Sequence, residues 1–382
     1  MRGIYFSYIN VDDTKLSGVY KKVKGQIKAL NSLGTNIKHV YFRSKELFFE
    51  RERVAVYRNK IHKKLNYWRA SIRIAKEYNP DFVLIRYYFP THIGTLLFLK
   101  QLARQGVVVV LEVPTYPYDR EIKGNSMKLV DLFVDKIFRN FLKNYVQLVV
   151  TPAKGVESIF GVKTVSISNG IDLSCSPKRS KNTLSAEVFN MIAVANVSFW
   201  HGYDRVIKGL YGYYKTNPNT KVYFHVVGDG EELENLKKLA KTLGLPEFVI
   251  FHGPKHGEEL DRLFDKAHVA IGSLGDHRKG LKISASIKTR EYCTRGIPFV
   301  ISCDDVDFPD DFPYMLKVPA DESPIDIGQI LQFYDGIKDR DVVKEMRDYA
   351  EKNLSWEAKL KPVINEINRL LDEKEKASKN RK

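Results

Sequence analysis

At 382 residues the chain is long enough for two domains, each burying a core of its own. A hydrophobic share of 43% fits a globular protein, and no stretch of about 18 apolar residues marks a spanning helix. The net charge of +16 is uneven: residues 1–182 hold 32 Lys and Arg against 14 Asp and Glu, the remainder 30 against 32. A basic first half implies a polyanionic partner, whether a phospholipid surface, a phosphate-bearing acceptor or nucleic acid. No recognisable RNA or DNA module accompanies the charge, so nucleic acid is set aside. Cys175, Cys293 and Cys303 are odd in number and lack metal-ligand spacing. Neither a metal nor a disulfide is expected, and a cytoplasmic location is. MRGIYFSYIN opens as a strand rather than as a signal peptide.

In chain order, a strand (Arg2–Tyr8) leads through the loop INVDDTKLSG into a helix whose apolar face is Val19, Val23, Ile27 and Leu30. A second strand, Asn36–Phe42, completes a βαβ start and predicts a parallel sheet. Gly18 at the helix entrance would let a ligand approach the backbone. Arg51–Arg73 interleaves cations with Tyr57, Tyr67 and Trp68. That is the composition of an interfacial amphipathic helix, although Ile61, Leu65, Trp68 and Ile72 also suit a core-facing stripe. Strands follow at Phe82–Tyr87 and Val107–Val113, with a helix around Thr91–Gln105 between them. LEVPTYPYDRE places Glu112, Thr115 and Tyr116 at the carboxyl edge of this sheet, with Pro114 and Pro117 holding the wall extended. A helix (Ser126–Asn144) and a strand (Gln147–Thr151) lead to Asn169-Gly170, a turn where a second domain should begin.

The second half repeats the rhythm. Strands are predicted at Met191–Asn196, Lys221–Val227 and Phe248–His252, with a turn at Gly228-Asp229-Gly230 and a helix carrying Leu233, Leu236 and Leu239. Residues 267–302 then read as strand, basic loop, helix opening near Ser286, and strand. A loop feeding a helix N-terminus at the end of a parallel strand is an anion site, because unpaired amides and the helix dipole both face the ligand. Arg278, Lys279, Lys282 and Lys288 add charge, and Glu291, one turn on, offers a carboxylate to a polyol such as ribose. The tail EKEKASKNRK lacks apolar periodicity and should fray.

A set of segments carries a resemblance: ISNGID, HGYDRVI, VVGDGEELENLKKLAKTLGL, VIFHGP and EYCTRGIPFVIS, closed by Ser355-Trp356-Glu357 and a long helix. Together they resemble family 4 of the glycosyltransferases, and the LEVPTYPYDRE and RKGLK to KTREY segments are similar to enzymes of bacterial surface-polysaccharide assembly. The resemblance implies the α/β GT-B fold, two doubly wound Rossmann-like domains facing across a cleft, with the C-terminal helix crossing back to the first. The domains implied are 1–175 with 355–372 as the acceptor side, 185–354 as the nucleotide-sugar side, and 373–382 as a flexible basic tail. The activity implied is metal-independent, retaining transfer of a sugar from a nucleotide diphosphate, UDP or GDP, to a glycan or lipid-linked hydroxyl. It takes no cofactor beyond that donor, and the setting is peripheral, on the inner face of the plasma membrane.

The implied site residues follow. Glu112, His201 and Lys282 are the catalytic candidates. Glu291 matches the second glutamate of the family's paired motif, which holds the ribose, whereas the first falls at Ile283. Ser286, Ile287, Lys288, Arg290, Gly228, Asp229 and Asn196 complete the donor-nucleotide set. The family's phosphate-binding Arg and Lys fall at Asn196 and His201, so cations of residues 278–290 would compensate. Gly18, Thr115 and Tyr116 form the acceptor or phosphate loop. Two other readings stay open: a GT-B scaffold that partners an active transferase, favoured by Ile283 and Asn196, and a nucleotide-sugar epimerase.

Overall fold

The computed structural model of the protein describes residues 1–13, 16–87, 89–118, 126–179 and 187–380. Asp119, Arg120 and Glu121 of LEVPTYPYDRE lie outside the described residues, as do the side chains of Lys60, Ile61, Leu65 and Cys175. The chain divides into two units, Met1–Gly170 with Trp356–Lys382, and Ile171–Ser355.

The first unit contains β1 (Arg2–Asn10), α1 (Ser17–Ser32), β2 (Asn36–Arg43), β3 (Glu46–Phe49), β4 (Glu52–Val56), α2 (Lys60–Tyr78), β5 (Phe82–Arg86), α3 (Ile93–Arg104), β6 (Val108–Glu112), α4 (Ser126–Phe138), β7 (Leu148–Thr151), β8 (Ser158–Ile159) and β9 (Val162–Ser166). They build one sheet in the order β4-β3-β2-β1-β5-β6-β7-β9-β8. The stretch from β2 to β9 is parallel, while β3, β4 and β8 pair antiparallel at its edges. β6 is buried along its whole length, as an apolar run covered on both faces must be. On one face Val23 and Leu30 of α1 pack with Trp356, Leu360, Val363 and Ile367 of the C-terminal helix (Trp356–Lys379). On the other, Tyr67, Trp68 and Ile74 of α2 pack with Phe98, Leu99 and Leu102 of α3.

Three features correct the expectations. Arg51–Arg73 is not one helical segment: Glu50, at φ 55°, turns the chain back, and Glu52–Val56 becomes a hairpin strand on β3. The helix opens only at Lys60, where the Asn59 side chain accepts the His62 amide at 2.8 Å. Tyr57 ahead of the helix and Tyr67 and Trp68 within it face the core, each about 3% exposed or less, so they are not an interfacial face. Second, the segment after Glu112 is not extended but turns at Tyr116-Pro117, which carries Tyr118 inward. Third, the tail stays helical to Lys379, its Lys374 ammonium bonding the Val107 carbonyl at 3.0 Å.

The second unit contains β10 (Val188–Val194), α5 (Tyr203–Tyr214), β11 (Lys221–Val227), α6 (Leu233–Thr242), β12 (Val249–Gly253), α7 (Gly257–Asp265), β13 (Val269–Ile271), β14 (Ile283–Ser284), α8 (Ile287–Arg295), β15 (Phe299–Ile301), β16 (Asp304–Asp305), β17 (Met315–Lys317), α9 (Ile327–Asp335) and α10 (Val342–Asn353). Its main sheet, all parallel, runs β12-β11-β10-β13-β15-β17. β14 and β16 form a separate parallel pair beside it. Apolar side chains fill both faces of this sheet. Cys293 and Cys303 are free and buried. No helix among the described residues is long and apolar enough to cross a membrane.

Candidate functional site

The strand order of the second unit reverses between β10 and β13. The helices that follow those two strands, α5 and α8, pack on opposite faces of the sheet, and open parallel sheets bind ligands in the crevice at the edge where that happens. The loop after β10 makes a 3-10 turn at Phe199–His201, and the loop after β13 docks on it. The Leu274 amide donates to the His201 carbonyl at 2.9 Å and the Gly275 amide to the Trp200 carbonyl at 3.2 Å. Gly202, at φ 65°, permits this approach, because a Cβ there would lie 2.8 Å from the Gly275 nitrogen. The β11 loop joins the same edge: the Val197 amide donates to the Asp229 carbonyl at 2.6 Å. Gly228 and Gly230 have φ of 125° and 148°, and a Cβ at either would collide with the Ala195 or Val197 carbonyl oxygen. The Gly-Asp-Gly turn is therefore first a device that ties two loops together. Asp229 itself stays exposed.

α8 points its N-terminus at this edge. Ser286, the N-cap residue, makes no side-chain cap, which leaves the first-turn amides available to an anion. Ile287 projects into solvent. The Lys288 ammonium sits 3.5 Å from the Tyr203 hydroxyl. Burial lowers its pKa to about 7, with Asp276 pulling it up and Lys279 pushing it down. One turn on, Glu291 is held by Arg295 at 3.1 Å through a single carboxylate oxygen. Its other oxygen has no partner among the described residues. A cavity of about 10 Å³, the size of one water, lies beneath the loop between Ser273, Asp276, Ser284, Ser286 and Thr289.

Several predicted cations do not face the crevice. Arg290 is fully buried; its guanidinium bonds Asp305 at 3.1 Å, Asp307 and the Ser286 carbonyl at 2.7 Å. It braces the loop and has nothing left for a nucleotide. Arg278 is spent on Asp204 at 3.0 Å and Glu322 at 2.6 Å. Lys279 pairs with Asp276 at 3.5 Å over the Trp200 ring. Among the described residues Lys288 and the exposed Lys282, whose carbonyl accepts the Asp304 amide, are the predicted cations that no carboxylate holds in an ion pair. His201 is 6% exposed, and its Nδ1 accepts the Ser198 amide at 3.0 Å. Burial, reinforced by Lys288 and Lys279, lowers its pKa to about 3, so at neutral pH it is an uncharged Nε2–H donor and not a partial cation. Asn196 is exposed. Tyr203 and Asp276, which frame Lys288, escaped the sequence reading: Tyr203 looks like any aromatic opening a helix, and Asp276 like any loop acid.

The first unit holds the remaining candidates at the carboxyl edge of its own sheet. Glu112 is 3% exposed and is not presented to a substrate. Tyr5 and Gln26 donate to it, and Arg86 and Lys22 pair with it at 3.0 and 3.4 Å. Burial alone would raise its pKa; Arg86, Lys22 and the two hydrogen bonds outweigh that and hold it at about 2. It is the anion of an internal ion cluster. Gly18 is exposed, with nothing near the position of a Cβ, so the backbone there is open but no contact requires glycine. Thr115 and Tyr116 are exposed, the Tyr116 ring meeting Phe160 edge-on at 6.5 Å. Beside them lies a network the sequence did not reveal. Asp135 of α4, fully buried, accepts from the Tyr87 hydroxyl at 2.6 Å, the Thr91 amide at 2.7 Å and the Tyr118 hydroxyl at 2.5 Å.

Residues 176–302 match the family described as glycosyl transferases group 1. The matched span runs from before β10 to the end of β15 and so contains the whole crevice. A search of curated proteins found no match. Among solved structures, Anabaena HepE in complex with UDP is similar at a TM-score of 0.63 and 13% identity, over 97% of this chain and 100% of that one. A glycosyltransferase from Rickettsia africae is similar at 0.62 and 13%, over 97% and 98%. Sucrose-phosphate synthase from Thermosynechococcus elongatus is similar at 0.60 and 14%, over 97% and 100%. At such identities the likeness concerns the fold, two α/β units with parallel sheets of the GT-B type.

Proposed function

We propose that the protein is a glycosyltransferase that moves a sugar from a nucleotide diphosphate to a hydroxyl of a glycan or lipid-linked oligosaccharide. The observation that carries the reading is the convergence, at the reversal point of the second unit's sheet, of α8's uncapped amides, Lys288 and Glu291. In this reading Glu291 holds the ribose through its unengaged oxygen. The leaving diphosphate rests on the α8 amides, Lys288 and Lys282, which stabilise charge as it builds because they are already in place. His201 offers an Nε2–H donor rather than a charge. Leaving-group charge is thereby assigned to the protein's own groups rather than to a metal or other cofactor. HepE, crystallised with UDP and with UDP-glucose, makes a uridine donor the first to test. Membership of family 4, retention of configuration and a role in surface-polysaccharide assembly belong to the same proposal. So does a peripheral place at the inner face of the plasma membrane, drawn there by the basic first unit.

The test is nucleoside-diphosphate release across UDP-, GDP- and CDP-sugars, beside direct nucleotide binding. Wild type should bind and turn over one donor, and Glu291→Ala should bind it about tenfold more weakly. A protein that binds no nucleotide sinks the reading. One that binds tightly but never turns over supports a partner subunit instead, which the uncharged Asn196, His201 and exposed Ile283 would explain.

A further inference from the structure

α4 carries an apolar stripe that the described residues leave exposed. Leu129, Val130, Phe133 and Ile137 follow at helical spacing, and Phe141 continues the line into the next turn. All are exposed, Phe133 by 65% and Val130 by 62%. Four positions at that spacing fall within about 100° of the helix circumference, a narrow stripe on one side. The stripe is held outward by the opposite face. Asp135, fully buried, is gripped there by Tyr87, Tyr118 and the Thr91 amide, so α4 cannot roll to hide its apolar side. Two residues beyond Thr91, α3 adds Ile93 and Leu97, each more than half exposed.

Charge identifies what covers this face. Both acids of α4 are already neutralised, Asp131 by Lys64 at 2.8 Å and Asp135 by Arg139 at 3.5 Å, while Lys136 and Lys143 stay exposed. Over its whole length the first unit holds 37 Lys and Arg against 18 Asp and Glu, a surplus of 19, whereas the second unit is short by 3. Two copies meeting through this face would bring two strongly basic units together. An anionic bilayer is complementary in both respects, since its headgroups take the cations and its acyl boundary takes the stripe. We infer that the first unit docks on an anionic lipid bilayer by inserting the exposed face of α4. The inference builds on the peripheral placement proposed above, moves the contact from α2 to α4, and uses none of the donor-site chemistry.

The experiment is flotation with vesicles of phosphatidylcholine alone or mixed with phosphatidylglycerol. Wild type should float with the mixed vesicles, and the double variant Phe133→Asp, Ile137→Asp should partition about tenfold less. A Phe133→Trp variant in the otherwise unchanged stripe should be quenched by brominated lipid, a readout that does not depend on the double variant folding. Equal flotation of wild type and double variant, or no quenching at position 133, overturns the inference. So does a wild-type dimer in light scattering that the double variant reduces to monomer, which would make this a self-association face. Nucleotide binding measured on the same samples reports on the donor site separately.

Discussion

Lys288 and Glu112 show how a charged residue's neighbours decide its work. Lys288 is held at a pKa of about 7, so in the free protein it is half charged at neutral pH. A diphosphate beside it raises that pKa, and binding above pH 7 must then draw a proton from solution. Affinity for UDP should fall by about tenfold per pH unit above pH 7 until the bound-state pKa is reached. Titration calorimetry in buffers of different ionisation heat checks this, and zero proton uptake would move the diphosphate away from Lys288. Glu112 has the opposite sign of consequence. Its folded pKa of about 2 lies below the ordinary value of 4.5, so its stabilisation is present above pH 4.5 and is lost as pH falls towards 2. Glu112→Gln leaves Arg86 and Lys22 facing a neutral group in a buried cluster. It should cost about 3–5 kcal/mol in urea unfolding, against little change if the cluster were solvated.

Among the elements, the turn from β11 into α6 and the helix α5 make a matched pair for testing what glycine does. Gly230 sits at φ 148°, with the Val197 carbonyl where a Cβ would go. Gly230→Ala should destabilise the second unit by about 3 kcal/mol or more and weaken nucleotide binding with it. Gly212, exposed within α5, has open space around it, and Gly212→Ala should stabilise by about 0.5–1 kcal/mol. Thermal melts of the two variants moving in the same direction would refute the assignment of the turn as a steric tie. At this scale much was legible. Val108–Glu112 is legible because a buried parallel strand is a continuous apolar run, and Lys221–Val227 because its β-branched and aromatic residues suit a strand. The β3–β4 hairpin was missed because Arg51, Arg53 and Arg58 mask the short alternation of Val54 and Val56. The charges of a strand edge and of a helix look alike in sequence.

For the molecule as a whole, the C-terminal helix is the return of the chain to its beginning. Trp356 is 4% exposed and packs where Gly25 and Gly170 have no side chain; a Cβ at either would lie 2.6 Å from its ring. A chain ending at Ser355 strips Trp356, Leu360, Val363, Ile364 and Ile367 from the first unit's core. It should leave that unit protease-sensitive while the second keeps its nucleotide affinity. Simultaneous loss of both would show that the units do not fold independently.

The sequence by itself determined the α/β rhythm, the basic bias of the first half, the helix opening at residues 286–287, and Glu291 one turn beyond it. Those follow from apolar period, composition and local spacing, which the chain carries residue by residue. Only the tertiary structure decided which cations remain for a ligand. Arg278 and Arg290 are consumed by carboxylates 15 to 74 residues away, and Lys288 is not. It also decided that His201 is neutral, that Glu112 is an interior anion, and that the face left open to solvent lies on α4 rather than α2. Pairing and burial are long-range facts: a guanidinium in a sequence is the same letter whether it meets a phosphate or an aspartate.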